Sequence, residues 1–441
     1  MRTLTTCLSA LSIAAIPALA ATLCVNPGGS NNCYSSIQSA VNAAHPHDLI
    51  LVAAGTYKED VVIGIPLSLV GAGPGKTTID ATNLSNGIYV DGYNHANLYD
   101  VSISGFTVEN AQWEGILVVS ASGVTIRYNR VVSNDAAGPV FNGQPTGCPG
   151  QPAFETDETG DCGGGIHLIG ASNNLISDNF VTLNADGILI SDETGPSKSN
   201  VVTRNSVINN PFDCGITLAS HAPVGSGPPN FAPHFGVIHT TVSNNLVIDN
   251  GVTVGGAGIG LFSDGFGPGR VSETTVSSNK AIHNGIGGVV LHTHAGPAFG
   301  ALADNMDGNT ITGNYIAKNL ADEDDTATPG NVGININSGG GGSPVKGMVI
   351  ANNVIEDEDI DIAINTPAQV QIHDNNLLGG SAVVGAGNIC HFDQAACSGA
   401  VDATENYWGC AAGPNGGSSC STTHGPNVYA TPWLTQPVKP K

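Results

Sequence analysis

Two aspartates introduce apolar runs in the middle of the chain: Asp186 in "NADGILI" and Asp213 in "PFDCGITLAS". Carboxylates brought together from neighbouring segments can divide acid and base work, because burial and mutual repulsion raise the proton affinity of one. Asp192 and Glu193, His221, Asp264 and His294 follow the ends of such runs, while His167, Phe262 and His292 lie within them. We expect Asp186 and Asp213 to react, assisted by Asp192, His221 and His292. His167, Glu193, Phe262, Asp264 and His294 would contact the substrate. An aspartate before a strand is also an ordinary turn residue, and a histidine is often only hydrogen-bonded.

The runs belong to a repeat. Asparagines five residues apart recur at Asn129/Asn134, Asn179/Asn184, Asn205/Asn210, Asn245/Asn250, Asn279/Asn284 and Asn314/Asn319, and Asn353 and Asn375 continue the first column alone. Between them come "GILVV", "GIHLI", "GILIS", "GITLA", "GIGLF", "GVVLH", "GININ" and "DIAIN". One unit cannot bury its own apolar face, so coils must stack strand above strand, which predicts an all-β parallel solenoid. Asparagine suits the bends because it tolerates left-handed backbone and can hydrogen-bond the next coil. The Asn columns are therefore structural.

The interval from the strand glycine to the next ladder asparagine is 14 residues at Gly115 and Gly165, but 18 at Gly187, 30 at Gly215 and 26 at Gly288. Extra residues on that side, and the long stretches 135–164 and 320–332 on the other, would wall an open groove floored by the outward face of these strands. Alternation predicts its floor: His167, Leu189, Thr217, Gly260 and Val290 in one column, Ser191, Ala219, Phe262 and His292 in the next.

Composition narrows the partners. Thirteen Lys plus Arg against 36 Asp plus Glu give a net charge of −23, which disfavours nucleic acid and anionic membranes. Residues 1–20 read as a signal peptide with the small-x-small Ala18-Leu19-Ala20, leaving 21–441 as one secreted or periplasmic domain with no membrane insertion. Loss of Cys7 leaves close pairs Cys24/Cys33, Cys148/Cys162, Cys390/Cys397 and Cys410/Cys420, expected as loop disulfides, and a packed, reduced Cys214.

On the repeat, on the opening "SSIQSAVNAAHPHDLILVAAGTYKEDVVIGIPLSLVGAGPGKTTIDA" and on the late "ATENYWGCAAGPNG", the chain resembles the right-handed parallel β-helix proteins of the pectin-lyase-like superfamily. The resemblance implies a helix near residues 35–44 capping coils that run from about residue 24 to 410. The Asp186 and Asp213 phrases resemble in part the "NTDG" and "DDC" motifs of polygalacturonase-type glycoside hydrolases, whose aspartates act as acid and base with inversion. The Gly-His-Gly and Arg-Ile-Lys motifs of that family are missing here.

The leading expectation is a monomeric glycoside hydrolase acting on a polysaccharide and requiring no cofactor. One alternative is a polysaccharide lyase assisted by calcium held on acidic loops such as "DEDD" at 322–325, since the groove strands carry no Lys or Arg. Another is a non-catalytic glycan-binding solenoid. No metal site is assigned from the sequence.

Overall fold

Neighbouring strands of the three long sheets are parallel throughout, and each coil pairs residue for residue with the next apart from one irregularity at Lys346/Met348. The structure, a computed structural model, describes residues 20–135, 164–226, 232–263, 268–293, 304–322, 330–338, 345–365, 368–378, 383–384, 401–423 and 428–439. Fourteen, ten and eleven strands form the three sheets. One coil shows the path: Asp186–Ser191 in the ten-stranded sheet, Val201–Thr203 in the fourteen-stranded, Ser206–Ile208 in the eleven-stranded, then Ile216–Ser220 back in the ten-stranded. This is a right-handed parallel β-helix: the parallel solenoid that the repeat predicts, with the hand that the family resemblance implies.

Inward side chains stack in columns. Ile166, Leu168, Ile188, Ile190, Ile216 and Leu218 belong to one continuous, fully buried core. Burying each such side chain is worth about 1.5–3 kcal/mol, and stacked coils make the burial continuous. The helix Ile37–Ala43 closes the first end with Ile37, Ala40 and Val41. Its start is fixed by Ser36 accepting from Ser39 and by Glu59, which accepts from the Ile37 and Gln38 amides at 2.8 Å. Near the other end, Trp408 of the "ENYWG" stretch is fully buried. Disulfides Cys24–Cys33 and Cys410–Cys420 are formed as expected, Cys214 is free and buried, and the other two expected pairs lie outside the described residues.

The asparagines form buried amide ladders. Asn205 Oδ1 accepts from the Asn179 backbone and side chain at 3.0 Å, while Asn205 donates onward to Asn245 and back to the Ile176 carbonyl. The same ladder runs from Asn129 to Asn406. Their expected left-handed conformation is not what the structure shows. The positive φ belongs to the residue before each rung: Tyr128, Asp178, Arg204, Asn244 and Ser278. The turn thus accepts mixed residue types on its exposed outside, whereas the amide is required inside. A third ladder, at Asn174, Asn200 and Asn309, marks a third corner that the five-residue pairing did not single out.

The strand glycines answer a packing constraint. A Cβ on Gly165 would stand 2.4 Å from Val181 and 2.6 Å from the Gly187 carbonyl, and one on Gly187 would stand 2.2 Å from the Gly215 carbonyl. Only hydrogen fits there.

The second ladder ends differently. Asn319 donates its backbone and side-chain N–H to Glu358 Oε1 at 3.1 and 2.8 Å, so a carboxyl replaces the amide at the last rung. Burial first, and then Asp361 and Asp359, push Glu358 up to about 8 against the pull of the Asn319 hydrogen bonds. A carboxyl that holds its proton more tightly when folded leaves stability intact below the unfolded value of 4.5 and lowers it as pH rises towards 8. We therefore expect the wild type to lose about 1.4 kcal/mol per pH unit in this window relative to Glu358→Gln. Denaturant unfolding at several pH values checks this, and parallel curves would contradict it. Asn205→Ala, which strands two donors of Asn179 and removes the donor to Asn245 and to the Ile176 carbonyl, is expected to cost about 2–4 kcal/mol at any pH in the same assay.

Candidate active site

The predicted floor columns are present in register. His167 stands opposite Leu189, then Thr217, Gly260 and Val290, and Ala219 stands opposite Phe262 and His292. Among the described residues this face is largely buried. Leu117, Val119, Ile169, Ser191 and Val290 are fully buried, and His167 and His292 nearly so. Phe262 and Asp213 keep partial exposure. A few of the residues after the Gly-Ile strands build a short fourth sheet, Ser197–Lys198, Val237–Ile238 and Val271–Ser272.

Simple alternation also breaks at the glycines. A Cβ on Gly165 would point at core Val181, and Ile166 next to it is inward too, so the residue before the glycine returns to the outer face. Contacts bear this out: Glu114 Oε1 lies 3.6 Å from His167 Nδ1, and Cys214 belongs to a small buried cluster with Ala257, Ile286 and Val290 that is separate from the core. Continuing the register, this outer column reads Glu114, Gly164, Asp186, Cys214, Ala257.

Within that column the two aspartates of the expected pair are placed differently. Asp186 stands opposite Cys214, and Asp213 is one residue out of step, its amide donating to the Ala185 carbonyl at 3.1 Å. The Asp213 carboxylate turns to the Cys214 amide at 2.6 Å. Both aspartates nonetheless approach Cys214, whose thiol is pushed well up by burial first and then by the charge of Asp213, with Asp186 adding to it. On its other side Asp186 leans over Gly164, where an added Cβ would meet the carboxyl carbon at 3.3 Å. Beyond Gly164 stands Glu114, fully buried, with neither carboxyl oxygen hydrogen-bonded. Glu114 was not singled out from the sequence, although "EGILVV" places its acid before the strand glycine as "DGILIS" does.

A second buried cluster adjoins the first. His167 Nε2 lies 2.9 Å from Ser191 Oγ, and His221 Nδ1 lies 2.8 Å from Glu193 Oε1. Asp192 accepts from the His221 backbone at 2.7 Å, from the Gly236 amide and from Ser220 Oγ at 3.2 Å. The two adjacent carboxyls diverge. Burial, then the charge of Glu193, push Asp192 up to about 7. Burial pushes Glu193 up as well, but His221 above all, with His167 and Ser191, brings it below its ordinary value. Ser220 Oγ also meets His234 Nδ1 at 3.3 Å, whereas His239 pairs with Glu273 on the surface.

Further along the face, His292 Nε2 lies 2.7 Å from Asp322 Oδ2, which also accepts from Asn335 at 2.8 Å, and the Phe262 ring packs against His292 at 5.3 Å. Asp322, the first residue of the acidic run, is thus engaged by side chains, while 323–325 lie outside the described residues, as do Asp264 and His294. Among the described residues no group of three His, Cys, Asp or Glu is arranged to hold a metal ion. No helix among them is long and apolar enough to cross a membrane.

Residues 86–228, which carry Glu114, His167, Asp186, Glu193 and Asp213, match the family model described as the right handed beta helix region. With the coil register above, the chain is a right-handed parallel β-helix protein. No curated protein matches it. Solved structures similar to it include an alginate lyase from a Paenibacillus species, 14% identical over 76% of this chain and 94% of that chain, with a TM-score of 0.47. The mannuronan C-5 epimerase A-module of Azotobacter vinelandii is 13% identical over 91% and 94%, with a TM-score of 0.48. The catalytic unit of an α-1,3-glucanase from Streptomyces thermodiastaticus is 15% identical over 90% and 66%, also at 0.48. Those activities are the other proteins' own.

The burial of Cys214 makes a direct prediction. Its thiol is expected to react with Ellman's reagent only once the protein is unfolded. Rapid labelling of native protein at Cys214 would contradict the packing described.

Proposed function

We propose that the chain is an exported glycoside hydrolase that cleaves a neutral polysaccharide, with Glu114 and Asp186 as its reacting carboxyls. The observation that carries the reading is their placement on one outer column two coils apart, with only Gly164 between. At roughly 4.8 Å per coil their backbones stand about 9.6 Å apart, and the Asp186 carboxyl leans over Gly164 into that interval. Two carboxyls held on opposite sides of a reacting sugar suit direct displacement by water with inversion at the anomeric carbon.

In this scheme Glu114 gives a proton to the leaving oxygen, with His167 beside it as proton partner, and Asp186 takes a proton from the attacking water. Burial strengthens the electrostatics of both groups and keeps competing water away. Asp192, Glu193 and His221 support the adjoining strand end, and His292 with Asp322 and Phe262 lines the face further along. The described outer face has carboxylates and imidazoles but no Lys or Arg in its ten strands, so a neutral glycan suits it better than a uronate needing charge neutralisation. Two disulfides fit an oxidising compartment.

Acid–base assistance contributes about 10²–10⁴-fold, so Glu114→Gln and Asp186→Asn are each expected to lower turnover at least about 100-fold with the fold intact. Asp213→Asn, out of step in the column, should cost less than about tenfold. Wild type and variants would be assayed on neutral and acidic polysaccharides for reducing ends and for absorbance of unsaturated products. Unsaturation would favour elimination, silence on every glycan would favour a binding solenoid, and near-normal turnover in both main variants would overturn the assignment.

A further inference from the structure

The two outer columns of the ten-stranded sheet run in register from Tyr89 and Asp91 to Val290 and His292. Within them only Tyr89 and Phe262 keep partial exposure, and both are aromatic; every other residue of the two columns is buried. Side chains of a strand ordinarily stand roughly perpendicular to the sheet, but these two rings lie along it. The Tyr89 hydroxyl donates to Asp91 Oδ1 at 2.7 Å, two residues on in its own strand, and the ring packs on Leu117, Val119 and Ile169. Asp91 is itself fixed by the Asn94 amide at 2.9 Å and the Asn94 side chain at 3.0 Å. The Phe262 ring folds the opposite way, back over Gly260, where an added Cβ would stand 2.1 Å from Phe262 Cε2, and it leans on His292 with ring centroids 5.3 Å apart. Rings laid along the sheet present their breadth outward.

Their places bracket the acid pair. Tyr89 is one coil before the strand that follows Glu114, and Phe262 is two coils beyond the Asp186 strand. Five coil steps separate the rings, about 24 Å at roughly 4.8 Å per coil. A ligand that reaches the acids along the helix axis therefore meets a ring first from either end. The negative face of an aromatic ring attracts the weakly positive C–H groups of a sugar, and the ten strands hold no Lys or Arg to attract a charged one. We infer that Tyr89 and Phe262 are sugar-stacking platforms on either side of Glu114 and Asp186, on which an uncharged polysaccharide lies along the helix axis. The bearing of the platforms on cleavage rests on the hydrolase reading above; the platforms as a binding site do not. A chain gains both contacts only when it spans both rings, so cleavage falls inside a long polymer and not at its end.

The test is affinity electrophoresis of full-length Glu114→Gln, which removes turnover and leaves both rings, in native gels cast with soluble glucan, xylan, mannan or galactan, or with pectate or alginate. At least one neutral polysaccharide should retard it, and should do so more than pectate or alginate. Adding Tyr89→Ala or Phe262→Ala should each weaken that binding at least about fivefold, the scale of stacking on an aromatic ring. Tyr89→Phe, which keeps the ring, should stay within about twofold of the parent, whereas Phe262→Leu, which keeps apolar packing on Gly260 without the ring, should lose as much as Phe262→Ala. With a cleaved glycan in hand, the alanine changes in the otherwise wild-type chain should raise KM and leave kcat within about twofold, the pattern of lost uniform binding. Retardation by no neutral glycan, tighter binding of pectate or alginate, or unchanged binding in either folded alanine variant would overturn the inference. Ring-dependent binding in a wild type that cleaves no glycan would overturn the hydrolase reading alone.

Discussion

The asparagine amide ladder is the constraint on which the rest of the molecule depends. A coil must turn three corners, and each corner would otherwise bury backbone groups with no partner. A buried unsatisfied N–H or carbonyl costs about 1–3 kcal/mol, a large share of a domain's net stability. Each rung removes that cost by accepting from the coil before and donating both onward and back to a carbonyl, as Asn205 does between Asn179, Asn245 and Ile176. Because every rung requires the one beside it, the ladder also locks register. A coil that slipped by one residue would lose its amide partners and turn its apolar column outward at once.

Locked register makes a site possible on a surface of short strands. Side chains on one column are held at the inter-coil spacing, so choosing acids for two coils and glycine for the coil between makes a gap of defined width. Glu114, Gly164 and Asp186 make that choice, and the strand glycines beside them let the chain turn tightly enough to put the acids on the outer face. The neighbouring cluster shows what crowding titratable groups into such a face does. Asp192 and Glu193 are adjacent in the chain and buried alike, yet His221 holds Glu193 below its ordinary proton affinity while Asp192 is driven above it.

Much of the fold was legible because the repeat expresses a physical periodicity. The asparagine columns, the Gly-Ile strands and both described disulfides follow from residue type and spacing, and the cap helix from the family resemblance. What was not legible depends on geometry below the resolution of a pattern. The left-handed residue sits before each asparagine, not on it, and is exposed, so its identity varies from Tyr128 to Arg204. The final rung Glu358 is five residues beyond Asn353 and was passed over because a carboxyl had replaced the amide. At the site, Asp186 and Asp213 look equivalent in sequence, but a one-residue offset turns Asp213 to the Cys214 backbone and leaves Glu114 as the true column partner of Asp186. An open groove was inferred from chain length alone, and length does not say whether the added residues stand beside a face or leave it buried.

On the proposed function, chemistry happens across Gly164, between Glu114 and Asp186. The most direct test is a crystal structure of Glu114→Gln with a bound oligosaccharide taken from the polymer that the wild type cleaves. The account predicts a glycosidic oxygen within hydrogen-bond reach of residue 114 and a water held by Asp186 on the opposite side of the sugar. A glycan bound with its scissile bond at Asp213, or on the fourteen-stranded sheet, would contradict it.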